Sequence, residues 1–264
     1  MYNNYWKDLV KDNASPMTSV TLNKKQDTND FQIYGNRLAS RLLLLLEEFQ
    51  TTPFREASIL EIGCGMGRFI VPFSKHFQTV FGVDISNGIL EECKKYCDQL
   101  EITNYRVFKN NGSNLDMFDD ESLDYCFSGG VFQHITYIES IINYIKEALR
   151  TLRTGGIFLF QFFAFHKNEI GSKRVGAKIT AAILDEKLAD CSFKILDISC
   201  DPYDPMRPFI VIIQKIKPNE TKTSFKEFEV RDFLFRTGCH KGLANEIESE
   251  NFWKQKKKRI TFYD

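Results

Sequence analysis

The stretch Ser58-Ile-Leu-Glu-Ile-Gly-Cys-Gly-Met-Gly67, answered by Thr79-Val-Phe-Gly-Val-Asp84, constrains this chain more than any other feature. Ser58 to Ile62 is a short apolar run with β-branched residues, closed at once by glycine. That is the pattern of a strand buried in a parallel sheet. Gly63, Gly65 and Gly67 follow at every second position, and Arg68 to His76 then reads as a helix. A strand that turns tightly into a helix leaves backbone N–H groups facing whatever lies above the turn. Glycine there permits positive φ and lets a ligand approach the backbone closely. The second strand ends in Asp84, 17 residues past Gly67, where a carboxylate can accept both hydroxyls of a ribose. Together these features describe a nucleoside site on the carboxyl edge of an α/β sheet.

The third glycine selects the nucleoside. A dinucleotide site wants G-x-G-x-x-G, so that a pyrophosphate rests on the helix N-terminus. The spacing here is G-x-G-x-G, and Arg68 stands where the dinucleotide pattern needs glycine. Leu60-Glu-Ile-Gly-Cys-Gly-Met-Gly67 with Asp84 resembles motif I and the acidic second-strand end of class I S-adenosylmethionine-dependent methyltransferases. The resemblance implies that the glycine turn passes under the methionine part of the cofactor and that Asp84 holds the ribose. It assigns Glu61, Gly63, Cys64, Gly65, Gly67, Asp84 and Ile85 to S-adenosylmethionine, with S-adenosylhomocysteine as product. Asn111, Gly112 and Ser113, after the third strand, would bracket the adenine, although Asn111 stands where an acid is usual. Gly129 and Gly130 after the fourth strand complete the expected cofactor set.

The same resemblance runs in order from about residue 58 to 215. It implies a Rossmann-like, seven-stranded, mostly parallel sheet with helices on both faces, whose last two strands form an antiparallel edge pair. The remaining expected elements are strands over 105–108, 122–128, 156–161, 194–199 and 209–215, and helices through 86–97, 137–152 and 178–189. Gly155-Gly156 reads as the stop of the 137–152 helix. Residues 1–56 are expected as an N-terminal helical arm or lid, 57–216 as the cofactor-binding core, and 217–264 as a C-terminal extension. Within the arm, residues 31–50 read as a helix with Leu42, Leu45 and Leu46 on one face.

Composition removes several function classes. Lysine plus arginine equals aspartate plus glutamate, 35 each, so no global field favours nucleic acid or a membrane surface. No apolar run reaches the length of a membrane span, and Leu42 to Leu46, flanked by Arg41 and Glu47-Glu48, marks a buried helix face. The start has no charged-then-apolar signal pattern. The seven cysteines are scattered, without paired Cys-x-x-Cys spacing. The expectation is a reduced, cytoplasmic protein without a structural metal, monomeric or homodimeric, acting on a small molecule. The basic run Lys254 to Arg259 reads as a solvated helix end.

Methyl transfer from a sulfonium is an in-line displacement, so the acceptor atom must be held about 3 Å from the methyl with water excluded. A hydroxyl or protonated amine needs a base, whereas an anionic oxygen does not. His134, just past the fourth strand, and His166, past the fifth, are the candidate catalytic residues. Tyr5, Arg174 and Arg207 are candidates for the acceptor. Lys167, Lys173, Arg174 and Lys178 fall in one loop expected to border the pocket, and Arg207 in another. Such cations suit a phosphate, phosphoramidate, carboxylate or nucleotide. Tyr5-Trp6-Lys7 and Phe132-Gln133-His134-Ile135 also resemble small methyltransferases that decorate bacterial surface polysaccharides or their activated precursors. Two alternatives stay open: an aminopropyl-type transferase on the same fold, and a protein that holds the cofactor without catalysis.

Overall fold

A computed structural model describes residues 18–19, 24–25, 28–163, 176–177, 179–200 and 208–232. Two compact units emerge, residues 1–127 and 128–264, and each is described by itself.

The first unit is built on parallel strands in the order β6-β3-β4-β5. Here β3 is Ser58–Ile62, β4 Thr79–Asp84, β5 Tyr105–Lys109 and β6 Leu123–Ser128. Two-residue strands β1 (Thr18–Ser19) and β2 (Lys24–Lys25) precede them. Ile59 pairs with Val80 on one side of β3 and with Tyr125 on the other. This central position explains why β3 is apolar on both faces. Asp124 pins the start of the strand: its Oδ2 accepts from the Ser58 N–H at 2.8 Å and the Ser58 hydroxyl at 3.0 Å. Beside β3, Phe69, Phe73, Phe77, Tyr125 and Phe127 pack mostly edge to face, with Phe69 stacked on Phe73 and with Phe69 and Phe127 4.8 Å apart between ring centres.

Helix α1 (Thr28–Glu47) buries Phe31, Leu38, Leu42, Leu45 and Leu46, which recur at helical spacing. Phe31 meets Tyr96 of α3 (Asn87–Gln99) at 5.6 Å. The short helix α2 (Ile70–Ser74) follows the glycine turn. Gly35 gives α1 its close approach there, because a Cβ at that position would lie 2.5 Å from the Arg68 carbonyl oxygen. Ser86 caps α3 by accepting from the Ile89 N–H at 3.4 Å. Leu90, Cys93, Tyr96 and Cys97 form the buried face of α3.

In the second unit the strands run in the order β10-β8-β9-β7. These are β7 Leu152–Phe163, β8 Phe193–Cys200, β9 Pro208–Lys215 and β10 Arg231–Asp232. β9 is antiparallel to both β7 and β8, and β10 adds a parallel pair outside β8. Helices α4 (Ile138–Thr151) and α5 (Ala181–Lys187) belong to this unit. The end of α4 departs from expectation. The helix stops at Thr151, Leu152 is already extended, and Arg153 to Gly156 continue as strand. A side chain supplies the stop instead, because the Lys215 ammonium donates to the Arg150 and Leu152 carbonyls at 3.3 and 2.7 Å. Past residue 216, Phe225 is fully buried against Phe193, and Asp185 accepts from the Phe225 N–H at 2.7 Å.

Candidate functional site

The site begins with how the glycine turn is tied down. The N–H groups of Gly63 and Cys64 both donate to the Val83 carbonyl, at 2.8 and 3.0 Å. Gly63, Gly65 and Gly67 take φ of +74°, +53° and +87°, a region that costs other residues energy. A Cβ placed on Gly65 meets nothing within 4 Å, so the space over the turn is open. Beneath the turn the packing is the reverse. A Cβ on Gly82 of β4 would sit 2.8 Å from the Cys64 sulfur, and one on Gly67 3.0 Å from the Cys93 sulfur. Cys64, Cys93 and Cys97 are buried free thiols there, and the hydrogen bond with Cys64, with burial behind it, pushes the Cys93 thiol up.

Asp84 joins the two halves of this arrangement. Its Oδ2 accepts from the Gly65 N–H at 3.1 Å and its Oδ1 from the Ser86 N–H at 3.0 Å. A carboxylate offers about four lone-pair directions, so each oxygen keeps capacity for a hydroxyl. Burial raises the Asp84 pKa, and the backbone N–H groups of Ser86, Gly65 and Ile85 oppose that rise. On the neighbouring strand β3, Glu61 is only 2 % exposed and its Oε2 has no hydrogen-bond partner. Burial holds its carboxyl well above the ordinary range, with Arg68 pulling it down and Asp84 pushing it up. The Arg68 guanidinium lies 5.7 Å from the Tyr34 ring centre and 5.8 Å from that of Phe69, and its Nε is likewise orphaned.

The loops after β4 and β5 meet. A Cβ on Gly112, at φ +91°, would lie 3.3 Å from Ile85 Cγ2. Asn111 is exposed, and its Oδ1 accepts from the N–H groups of Ser113 and Asn114 at 2.9 and 3.0 Å. Both lone pairs of that oxygen therefore have backbone partners. Beside it lies a depression of about 480 Å³ lined by Lys109, Asn110, Asn111, Asn114, Asp116 and Met117. Glu61, Gly63, Cys64, Gly65, Gly67, Asp84, Ile85, Asn111, Gly112 and Ser113 thus all belong to the first unit. Sequence reading passed over Tyr34, Arg68 and Gly82 as site residues. Gly82 carried a signal, since a lone glycine inside a strand marks a close approach.

Gly129, Gly130 and His134 belong to the second unit. Gly130 turns at φ +74°, and Phe132–His134 form a single 3-10 turn. Burial pushes the His134 imidazole down to about 4, so at neutral pH it is uncharged and weakly basic. As pH falls from about 6.5 to about 4, the unfolded chain takes up a proton that the native chain refuses, and stability drops. Urea denaturation at pH 7 and pH 4.5 should show this loss, roughly 1–2 kcal/mol for a partly exposed group, and His134→Gln should lack that share of it. Tyr5, His166, Arg174 and Arg207 lie outside the described residues. Among the described residues no group of three or more His, Cys, Asp or Glu is placed to hold a metal, and no helix is long and apolar enough to cross a membrane.

Residues 60–160 match a family described as "Methyltransferase domain". The chain is similar to a malonyl-[acyl-carrier protein] O-methyltransferase of Priestia megaterium, 29% identical over 153 residues, which are 56% of this chain and 53% of that protein. It is 27% identical over 110 residues to phosphoethanolamine N-methyltransferase 1 of Zea mays, covering 42% of this chain and 22% of the maize protein. The chain thus spans about half of the first relative and a fifth of the second. Among solved structures, magnesium protoporphyrin IX methyltransferase of Synechocystis, with bound S-adenosylhomocysteine, aligns at a TM-score of 0.58 and 15% identity over 80% of this chain and 99% of that one. Phosphoethanolamine N-methyltransferase 1 of Haemonchus contortus aligns at 0.59 and 14% identity over 85% of this chain and 50% of that one. At such identities the structural likeness shows the fold, and it is the Rossmann-like α/β fold expected from the sequence. The matched family begins at Leu60, inside the strand that feeds the glycine turn, and ends at Phe160 in β7; residues 60–160 thus carry a methyltransferase domain, of the class I S-adenosylmethionine-dependent kind that the glycine turn and Asp84 resemble.

Proposed function

We propose that this chain transfers a methyl group from S-adenosylmethionine to an oxygen of a small acceptor that carries negative charge. The residues present fit the donor. Gly65 leaves open space above a glycine turn, Asp84 keeps acceptor capacity beside it, and a buried Glu61 oxygen waits for a hydrogen-bond donor. Bound there, the cofactor supplies an electrophilic methyl on a positively charged sulfur. The chain's part is to hold donor and acceptor in line and to keep water away.

The observation that carries the anionic acceptor is the state of His134. A histidine pushed down to about 4 by burial is a poor proton acceptor at neutral pH. A phosphate or carboxylate oxygen attacks without losing a proton, so a weak base suffices. Lys167, Lys173, Arg174, Lys178 and Arg207 supply cations in sequence segments that follow β7 and β8. Of the relatives' names, the malonyl O-methyltransferase fits an anionic oxygen acceptor, whereas the phosphoethanolamine N-methyltransferase shares only a negatively charged substrate, methylated on nitrogen. Phosphoramidates and nucleotide-linked sugars of surface polysaccharides fall in the same class.

The test is turnover to S-adenosylhomocysteine across a panel of carboxylate, phosphate, phosphoramidate and nucleotide-sugar acceptors, with uncharged sugars as controls. Turnover is expected with a charged acceptor. Arg174→Ala and Arg207→Ala should each lower acceptor kcat/KM about tenfold and leave cofactor affinity unchanged. Turnover with uncharged acceptors alone would refute the anionic assignment. Cofactor binding without turnover on any acceptor would favour a protein that holds S-adenosylmethionine without catalysis.

A further inference from the structure

The loop after β6 holds a buried amide with one end engaged and the other end empty. Gln133 is 3 % exposed. Its Nε2 lies 3.3 Å from His134 Nε2, whereas its Oε1 has no hydrogen-bond partner. The backbone here is fixed from outside the loop. Gly176 N–H donates to the Gln133 carbonyl at 2.7 Å and Ala177 N–H to the Ile135 carbonyl at 2.6 Å. A Cβ on Gly176 would lie 2.7–2.8 Å from those same backbone atoms, so only glycine lets the two segments meet this closely. Gly130, at φ +74°, completes the turn, its Cβ direction pointing to within 3.9 Å of Gln133 Nε2.

An amide NH2 can only donate, so the ring nitrogen that it meets must be the one bearing a lone pair. We propose that Gln133 is a positioning residue that fixes His134 in the tautomer protonated on Nδ1, and that its Oε1 takes a hydrogen-bond donor carried by the methyl acceptor. The second half rests on the methyltransferase reading; the first half does not. A carbonyl left unpaired inside a protein costs stability that a water-exposed one would not, and a hydroxyl or amine hydrogen from a ligand removes that cost. The assignment also removes Nε2 of His134 as a general base, because its lone pair is already occupied. The acceptor class that follows carries an anionic oxygen for attack and a neighbouring O–H or N–H for Gln133. A hydroxy-carboxylate, a sugar phosphate or an aminoalkyl phosphate has both.

Long-range nitrogen-15 spectra of the His134 ring in the full chain test the tautomer directly. Wild type should show Nδ1–H with an unprotonated Nε2. Gln133→Met should lose this bias, and Gln133→Glu should invert it, since a carboxylate accepts from Nε2–H. All three proteins should bind S-adenosylhomocysteine alike by calorimetry. With a competent acceptor, Gln133→Met should raise acceptor KM about tenfold and change kcat less. A wild-type ring protonated on Nε2, or an unchanged tautomer in Gln133→Met, would overturn the positioning role whether or not any acceptor turns over. An unchanged acceptor KM beside the predicted tautomer shift would overturn the contact to the acceptor alone.

Discussion

Gly65→Val is expected to reduce S-adenosylmethionine affinity by about a hundredfold or more in a protein that still folds. Two effects combine. Position 65 sits at φ +53°, which strains any L residue and β-branched ones most, at about 1–3 kcal/mol. The Cβ meets no protein atom within 4 Å, so its added methyl groups occupy the space that a ligand above the turn would fill. Gly82→Ala provides the contrast. Its Cβ would lie 2.8 Å from Cys64, and the damage should appear as lost stability. Calorimetric titration with S-adenosylhomocysteine beside thermal melting separates the two outcomes. Near-wild-type affinity in Gly65→Val would mean that the open space is not the cofactor's.

Asp84→Ala should weaken cofactor binding by about 1.5–3 kcal/mol, or tenfold to somewhat over a hundredfold, through loss of charge-assisted hydrogen bonds to the ribose. Part of that loss is indirect. The carboxylate also accepts from the Gly65 and Ser86 N–H groups, so its removal leaves both amides without their acceptor and loosens the turn. Asp84→Asn should rescue little, because its NH2 must face one of two N–H donors. Equal affinity of wild type and Asp84→Ala for S-adenosylhomocysteine, in a folded variant, would contradict the ribose assignment.

The strand, turn, helix, strand and acid were legible because each follows from local chemistry. Alternating glycines need positive φ, and Gly63, Gly65 and Gly67 all have it. Ser86 caps its helix as its residue type suggests. The end of α4 was less legible, since Gly155-Gly156 advertised a stop that Lys215, 64 residues beyond Thr151, in fact supplies. No local pattern encodes a cap that arrives from another strand. Arg68 looked like a mere break in the dinucleotide pattern, yet it lies beside Tyr34 and shares a field with Glu61. The engagement of the Asn111 oxygen was written in Asn111-Gly-Ser-Asn114, whose first side chain commonly closes a turn on its own backbone. The state of Glu61, Gln133 and His134 could not be read from sequence, because burial sets it.

The most direct measurement is calorimetric titration of the full chain with S-adenosylhomocysteine, and with NAD in parallel. A site made by G-x-G-x-G, Asp84 and an orphaned Glu61 oxygen should bind S-adenosylhomocysteine one to one and ignore NAD, whose pyrophosphate finds Arg68 where glycine is needed. Saturable binding of NAD, or no binding of S-adenosylhomocysteine to folded protein, would contradict it.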